Sequence, residues 1–135
     1  MPRKPTRKGL VNKLDKVFSE YIRLRTANGN GYVQCVTCGK EDHWKSMDCG
    51  HFMSRKHMST RWHEDNCQVQ CKSCKVFRYG EQYKYSLWLG SEKADHLYQL
   101  SNQTQKFDNW DLEDMIKIYS EKVVELKKGL YSCLT

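Results

Sequence analysis

The chain has 135 residues, of which 39% are hydrophobic and 29% are charged, and its formal net charge is +7. This length predicts one domain with a core of modest size. No apolar run is long enough to span a bilayer, and the basic residues 1–9 are not followed by a hydrophobic segment. We therefore expect a cytoplasmic protein without a membrane partner, and the basic balance suits a polyanion without identifying one.

An amphipathic helix is predicted over residues 10–26, after a basic arm that we expect to be disordered until it meets a partner. Apolar residues recur in it at steps of three and four, with charged residues between them. Residues 28–31, Asn-Gly-Asn-Gly, tolerate positive φ and end the helix. The stripe predicted to pack in the core contains Leu10, Leu14, Val17, Phe18, Tyr21, Ile22 and Leu24.

Two identical cysteine spacings follow, Cys35-x-x-Cys38 and Cys71-x-x-Cys74. Each pair can direct two thiolates at one tetrahedral ion, and two pairs complete a Cys₄ site with no open position. We therefore predict a structural zinc that holds the fold and performs no chemistry. Disulfides, or a thiol–disulfide enzyme, are the alternatives. The odd total of seven cysteines, with no matched spacing for Cys49, Cys67 and Cys133, favours metal in a reducing compartment.

Between and after the cysteine pairs, the pattern predicts the order strand, loop, strand, helix. Residues 46–52 and 67–70 suit two strands of a hairpin, joined by a polar, basic loop over residues 53–65. The helix is predicted over residues 72–89 and has one apolar face, which contains Val76, Tyr79, Tyr83 and Leu87.

Two further helices are predicted at the C-terminal end, over residues 91–100 and 111–128. Asp111 and Asp114 stand in a capping arrangement at the start of the second of these helices. The apolar stripe predicted to bury this last helix contains Leu112, Met115, Ile116, Tyr119, Val123 and Leu126.

Three polar residues of the predicted hairpin suit phosphodiester hydrolysis, which needs a base, a cation and a group that orients the base. His51, with an ordinary pKa near neutrality, can act as the base, and Asn66 can orient it by an amide hydrogen bond across the hairpin. Asp48 is a hard oxygen ligand for Mg²⁺ or Mn²⁺. The alternatives are a structural histidine, a turn asparagine and a surface carboxylate.

The order and spacing of these motifs resemble the NinG (Rap) recombination endonucleases of lambdoid phages, which are HNH, or ββα-metal, nucleases. The resemblance covers residues 13–89 and, more loosely, the last helix. It implies an α+β fold with a zinc-bound ββα-metal (HNH) core in residues 29–90. Residues 1–28, the basic arm and first helix, and residues 91–135, the C-terminal helices, flank this core in one compact unit. The motifs are Cys35-x-x-Cys38-Gly, Asp48-Cys-Gly-His51-Phe, Arg61-Trp-His-Glu-Asp-Asn66 and Gln70-Cys-Lys-Ser-Cys74.

By this resemblance His51 is the general base, Asn66 the middle residue of the motif and Asp48 a ligand of the catalytic cation. The third motif position falls on Lys75, where the family pattern has an Asn or His that completes the metal site. A lysine ammonium repels a divalent ion. One hypothesis is therefore a protein that binds DNA but is deficient in cleavage, and the alternative is an ordinary solvent-facing lysine at a helix start.

The resemblance implies a structure-selective endonuclease that cuts branched DNA, such as Holliday junctions or D-loops. A homodimer would match a twofold junction. The alternatives are a non-catalytic, zinc-stabilised DNA-binding module and an HNH nuclease acting on linear duplex. Trp62, more than Trp44, Trp88 or Trp110, is a candidate for stacking on unpaired bases. The residues expected to contact phosphates are Arg55, Lys56, His57, Arg61, Lys72 and Arg78.

Overall fold

The fold is described by a computed structural model that covers residues 4–130. It is a mixed α+β structure in which helices surround two separate two-stranded antiparallel sheets, so the predicted α+β class is confirmed. None of the helices in the described part is long and apolar enough to cross a membrane. The helices are α1 (Arg7–Leu24), α2 (Met58–Arg61), α3 (Gln82–Leu89), α4 (Ser91–Ser101) and α5 (Asn109–Gly129), and the strands are β1 (Tyr32–Gln34), β2 (Glu41–His43), β3 (Asp48–His51) and β4 (Cys67–Gln70).

Helix α1 begins at Arg7, so the expected disordered arm is wrong for residues 7–9, and residues 1–3 lie outside the described part. The helix starts early because the Thr6 hydroxyl caps it, accepting a hydrogen bond from the Gly9 amide at 3.0 Å. The predicted apolar stripe is confirmed: Leu10, Leu14, Phe18, Ile22 and Leu24 are buried, and Val17 and Tyr21 are partly buried against them.

Helix α5 packs on α1, and the first part of its predicted stripe joins the same core, whereas Val123 and Leu126 pack in a second cluster near the first cysteine pair. Its N-terminus differs from the prediction, since a capping box forms between Asp108 and Asp111 rather than involving Asp114. The Glu64 carboxylate joins the two helices, accepting hydrogen bonds from the hydroxyls of Tyr21 at 2.8 Å and Tyr119 at 3.0 Å. This link fixes the turn before β4 relative to the helical layer.

The β1–β2 hairpin was not predicted, because each of its strands has only three residues. Its connection contains the first cysteine pair, and the Val36 amide donates to the Val69 carbonyl at 3.0 Å, which ties that pair to β4. The β3–β4 hairpin has the predicted order, with Asp48 opposite Gln70 and His51 opposite Cys67. Strand β3 is shorter than predicted because residues 44–46 form a 3₁₀ turn.

The helix predicted over residues 72–89 is wrong. A π-helical turn (Ser73–Phe77) is followed by a tight bend in which Tyr79, Gly80 and Glu81 all have positive φ, and α3 begins after the bend. Glycine 80 tolerates this conformation and was the sequence signal for a break. The apolar face predicted for this helix is also wrong, because Val76, Tyr79, Tyr83 and Leu87 are exposed.

The side chains that anchor α3 are instead Tyr85 and Leu89, which are buried with Leu97 of α4. The Tyr85 hydroxyl donates to the Gly50 carbonyl of β3 at 2.8 Å. Helix α3 is therefore attached to the β3–β4 hairpin through a different face from the one that periodicity indicated.

Candidate functional site

The four cysteines of the two pairs converge as predicted, and we call Cys35, Cys38, Cys71 and Cys74 the cysteine quartet. Their sulfur atoms all lie within 4.8 Å of one another, and the Cys38 and Cys71 sulfurs are 3.6 Å apart. Tetrahedral zinc–thiolate bonds would place the sulfurs about 3.8 Å apart. The quartet therefore has the ligand type and spacing that structural zinc requires.

The pKa shifts of the quartet thiols also favour the binding of a cation. Burial raises the pKa of the Cys35 thiol, but hydrogen bonds from Thr37 and from backbone amides outweigh it and bring the pKa to about 6. Burial raises the pKa of Cys74 to about 12, and the negative charge of Cys35 acts in the same direction. One thiolate thus opposes the formation of another, and a divalent cation would remove this repulsion.

His51 lies at the end of β3, half-buried beneath α1. Its Nε2 atom is 2.9 Å from the Arg61 carbonyl oxygen. Since a carbonyl can only accept a hydrogen bond, Nε2 carries the proton and Nδ1 carries the lone pair. The backbone of the loop between β3 and β4 therefore fixes the tautomer of this imidazole, a role that the sequence analysis had given to Asn66.

Burial lowers the pKa of His51 to about 4, and the charges of Arg55 and Lys75 act in the same direction. The expectation of an ordinary pKa near neutrality is therefore wrong. The ring is neutral at pH 7 and is able to accept a proton. A phosphate bound beside Arg55 and Lys75 would offset their charges and make the imidazole more basic.

The third motif residue, Lys75, lies close to His51 although 24 positions separate them in the chain. Lys75 is in the π-helical turn that follows the second cysteine pair. Two adjoining depressions of the surface, which together we call the cleft, are both lined by His51, Arg55 and Lys75. The structure thus brings together a neutral imidazole and two cationic side chains beside the cysteine quartet.

A comparison with protein families gives a match over residues 3–129 to the family described as Bacteriophage Lambda NinG protein. The chain belongs to the NinG family. This membership connects it with phage recombination and confirms the predicted NinG family. A comparison with curated proteins and a comparison with solved structures gave no match.

Asn66 has a different structural role in this NinG protein from the one expected. Its side chain is fully buried, and its amide accepts from the Met53 amide at 2.8 Å and donates to the carbonyls of Met53 and Thr60, each at 3.0 Å. Both donors are used, so the expected hydrogen bond to His51 is absent. Asn66 closes the two ends of the loop whose Arg61 carbonyl holds His51, and so it positions the imidazole indirectly.

Asp48 does not accompany His51 in the cleft. The two residues lie at opposite ends of β3, and the alternation of side chains along a strand puts them on opposite faces. The carboxylate in the cleft is that of Asp15 on α1. The expectation that Asp48 binds a catalytic cation next to His51 is therefore not supported by the strand geometry.

Asp15 was missed by the sequence analysis, although it stands inside the segment over which the family resemblance begins. Its carboxylate accepts from Arg61 Nε at 3.0 Å and Nη2 at 2.6 Å, and from the Trp62 indole at 3.0 Å. Arg55 lies 3.8 Å away. Asp15 thus anchors the loop to α1. No local pattern could reveal this, since Arg61 and Trp62 are 46 and 47 positions away from Asp15 in the chain.

The residues expected to contact DNA divide into two groups. The guanidinium of Arg61 is only 17% exposed and is bonded to Asp15, so Arg61 has a structural role. Trp62 is buried in the core, so the stacking role predicted for Trp62 is wrong. Trp44 is buried as well, whereas Trp88 and Trp110 are exposed. The side chains that remain available on the loop and around the π-helical turn are Arg55, Lys56, His57, Lys72, Lys75 and Arg78.

A second group of potential metal ligands lies under the cleft. Cys49, Cys67 and His51 share one face of the β3–β4 hairpin, and their ligand atoms lie within 4.8 Å of one another. A hydrogen bond with Cys67 lowers the pKa of Cys49, whereas burial raises the pKa of Cys67 well above its usual value. The two thiols thus retain a proton between them. Because His51 cannot bind a metal ion and accept a proton with the same lone pair, these two uses exclude each other.

Proposed function

We propose that this NinG protein is a structure-selective endonuclease with a zinc-bound HNH (ββα-metal) core, acting on branched DNA such as Holliday junctions or D-loops. The observation that carries the proposal is the position of His51, neutral and held by a backbone carbonyl, beside Arg55 and Lys75. The chain order also supports it, since strand, loop, strand and helical turn follow one another from β3 to the π-helical turn.

In this proposal the DNA backbone lies across the cleft. Arg55 and Lys75 attract the scissile phosphate, and Lys56, Lys72 and Arg78 contact neighbouring phosphates. His51 Nδ1 accepts the proton of the attacking water, while the Arg61 carbonyl keeps the ring oriented. The protein thus supplies the base and the electrostatic attraction, and hydrolysis breaks the bond between phosphorus and the leaving oxygen.

A catalytic Mg²⁺ or Mn²⁺ does not fit the cleft residues of this chain. The carboxylate of Asp15 is already bonded to Arg61 and Trp62, and the third motif position has an ammonium where a ligand is expected. Cations repel a divalent ion, whereas they attract a phosphate. We therefore infer that Lys75 favours DNA binding over cleavage. This observation supports the second candidate function, a non-catalytic, zinc-stabilised DNA-binding module.

Nicking of a four-way junction in the presence of Mg²⁺ or Mn²⁺ tests both candidates. The proteins to compare are the chain itself, Lys75→Asn, and Lys75→Asn combined with His51→Ala. We expect the first protein to bind junctions and to nick them slowly or not at all, Lys75→Asn to increase nicking at least tenfold, and the added His51→Ala to remove the gain. A base contributes about 10²–10⁴ in rate.

His96→Ala, combined with Lys75→Asn, is the matched control, because His96 is an exposed histidine of α4 outside the cleft. Nicking should be unchanged in this variant. Junction binding without nicking by Lys75→Asn would favour the non-catalytic module, and absence of junction binding would contradict both candidates. Competition with linear duplex distinguishes an HNH nuclease that acts on unbranched DNA, and sedimentation with and without a junction tests the proposed homodimer.

A further inference from the structure

Aromatic side chains are exposed on the segment around the tight bend, and one of them, Tyr79, lines the cleft. Phe77, Tyr79 and Tyr83, which we call the aromatic ledge, lie within seven consecutive residues and are 78%, 89% and 75% exposed. Val76 next to them is exposed as well. A run of large apolar side chains in water is unusual for a monomeric surface and indicates a binding site. The periodicity that predicted burial here therefore marks a surface without an intramolecular partner.

The backbone holds the centre of the ledge in an unfavourable conformation. Tyr79 has φ +54 and Glu81 has φ +50, in the left-handed region that non-glycine residues seldom adopt. Two hydrogen bonds fix the bend. The Gly80 amide donates to the Cys74 carbonyl at 2.7 Å, and the side-chain amide of Gln70 donates to the Gly80 carbonyl at 2.8 Å. Residues that the surrounding structure holds in such unfavourable backbone conformations are found preferentially at functional sites.

The bend places Tyr79 in the lining of the cleft, together with His51, Arg55 and Lys75. A continuous helix through this segment would lack the bend that directs the chain along the cleft. The hydrogen bonds of Gly80 with Gln70 and Cys74 also tie the backbone next to Tyr79 to β4 and to the cysteine quartet.

The charge around the ledge is basic. Lys72, Lys75, Arg78 and Lys84 lie in the same segment. The one acidic side chain among them, Glu81, is within 4.0 Å of both Arg78 and Lys84. Flat apolar rings flanked by cations match single-stranded nucleic acid, in which bases offer their faces and phosphates their charge. An apolar protein partner would match the rings but not the surrounding cations.

We propose that the aromatic ledge stacks on unpaired bases next to the scissile phosphate, and that this contact selects branched over continuous DNA. The inference rests on the proposed action on DNA and names the residues that read its structure. In a continuous duplex both faces of each base are covered by its neighbours, so the ledge has nothing to stack on. At a branch point bases are free to leave the stack, and Tyr79 and its neighbours receive them.

Tyr79→Gly tests the proposal without the risk of unfolding, because glycine adopts the left-handed conformation without penalty. We expect the melting temperature of this variant to be unchanged or raised. At fixed salt, its affinity for a junction containing unpaired bases should fall about tenfold, the amount that one base–aromatic stack contributes. Its affinity for fully paired duplex should fall less than twofold.

Phe77→Ala is a second variant that should show the same selectivity, and Tyr98→Ala is the matched control. Tyr98 is an exposed tyrosine of α4 that does not line the cleft. A fluorescent adenine analogue, 2-aminopurine, at the unpaired position should be quenched by the wild-type chain and by Tyr98→Ala, and less by Tyr79→Gly.

Two results would overturn the inference while leaving the proposed function intact: equal affinity losses for junction and duplex, or no loss for either DNA. In both cases the wild-type chain would still bind junctions through its cations. If the wild-type chain bound no DNA at all, the proposed function itself would fail, and the ledge would lose its partner with it.

Discussion

The described residues 4–130 contain two groups of potential metal ligands that differ in kind. The cysteine quartet has four sulfur ligands, two from the β1–β2 connection and two from the segment that follows β4, and its atoms have the spacing of a tetrahedral site. The group of Cys49, Cys67 and His51 has three ligands on one face of one hairpin. One of them, His51, is already hydrogen-bonded to a backbone carbonyl. The quartet therefore supplies all four ligands of a tetrahedral site, whereas the second group supplies three, and its imidazole also adjoins the cleft.

In the proposed function, this difference separates the group that would stabilise the fold from the group that would supply the base. The quartet joins β1–β2 to β4 and has no open position for a substrate. The imidazole of the second group adjoins a cleft lined by cations. The two groups are nevertheless neighbours, because β4 ends next to Cys71 of the quartet and begins opposite His51. A change in the quartet should thus affect the whole site, and a change in the second group should affect only part of it.

Metal removal should have the largest effect. Structural zinc sites contribute about 10–16 kcal/mol of binding free energy that is available to folding. We therefore expect chelation, or Cys71→Ser, to abolish the cooperative unfolding transition, as measured by circular dichroism during thermal denaturation. The purified chain should contain one zinc per molecule. Two zinc ions per chain, one of them lost in Cys49→Ala, would show that the second group also binds metal and would remove His51 as the base.

Acidification should have the next largest effect, through His51. Its pKa is about 4 in the folded chain and 6.5 without perturbation. Between these values the unfolded chain binds the proton and the folded chain does not, so stability is full above pH 6.5 and is lost as the pH falls towards 4. The total loss is about 3 kcal/mol. Urea denaturation of the chain and of His51→Gln, with zinc content monitored, measures the difference.

In the same window the ring protons of His51 should keep their neutral chemical shifts in NMR spectra down to about pH 5. A titration midpoint near the unperturbed value would contradict the burial of this imidazole. Such a midpoint would also remove the reason to expect a neutral base that is ready to accept a proton at pH 7.

The hydrogen bonds of Asp15 should contribute less to the free energy of unfolding than the zinc ion or the neutral state of His51. Asp15→Asn removes the charge that holds Arg61, whose carbonyl holds His51, and hydrogen bonds to charged groups contribute about 1.5–3 kcal/mol. We expect a loss of about 2 kcal/mol in the free energy of unfolding. Glu125→Gln is the control, since the exposed ion pair of Glu125 with Lys128 should contribute under about 0.5 kcal/mol. Equal losses in the two variants would show that Asp15 does not anchor the loop.

The cysteine quartet could be predicted from the sequence, whereas the surroundings of His51 could not, and the reason is physical. The quartet follows from local spacing, because Cys-x-x-Cys geometry is set within four residues. The strand β4 and the stripes of α1 and α5 were likewise visible as periodicity. Asp15 and its partners were not visible, since their contact exists only after α1 has packed on the loop. The ordinary pKa assumed for His51 failed for the same reason: burial is a property of the packed molecule.

The prediction of a continuous helix over residues 72–89 was wrong although the sequence contains a local signal for a break, Gly80. Gly80 permits positive φ, and the structure uses it, but the apolar residues around it also satisfied a helical period. Periodicity assumes that an apolar face is buried by the same chain. Tyr79 and Tyr83 are exposed instead, and a surface that binds a partner produces the same pattern as a surface that packs in the core.

Cys49→Ala should have the smallest effect and bears most directly on the second group. Cys49 is buried in the same core cluster as Leu14 and Phe18 of α1, so the loss of its thiol leaves a small cavity that we expect to cost about 1 kcal/mol. Zinc content should stay at one ion per chain, and the NMR shifts of His51 should change little, since its hydrogen bond to Arg61 does not involve Cys49.

Nicking by Lys75→Asn should therefore survive the added Cys49→Ala. A loss of nicking with the fold and zinc retained would mean that the thiol itself takes part at the site, and it would contradict the expectation that His51 acts as the base without Cys49.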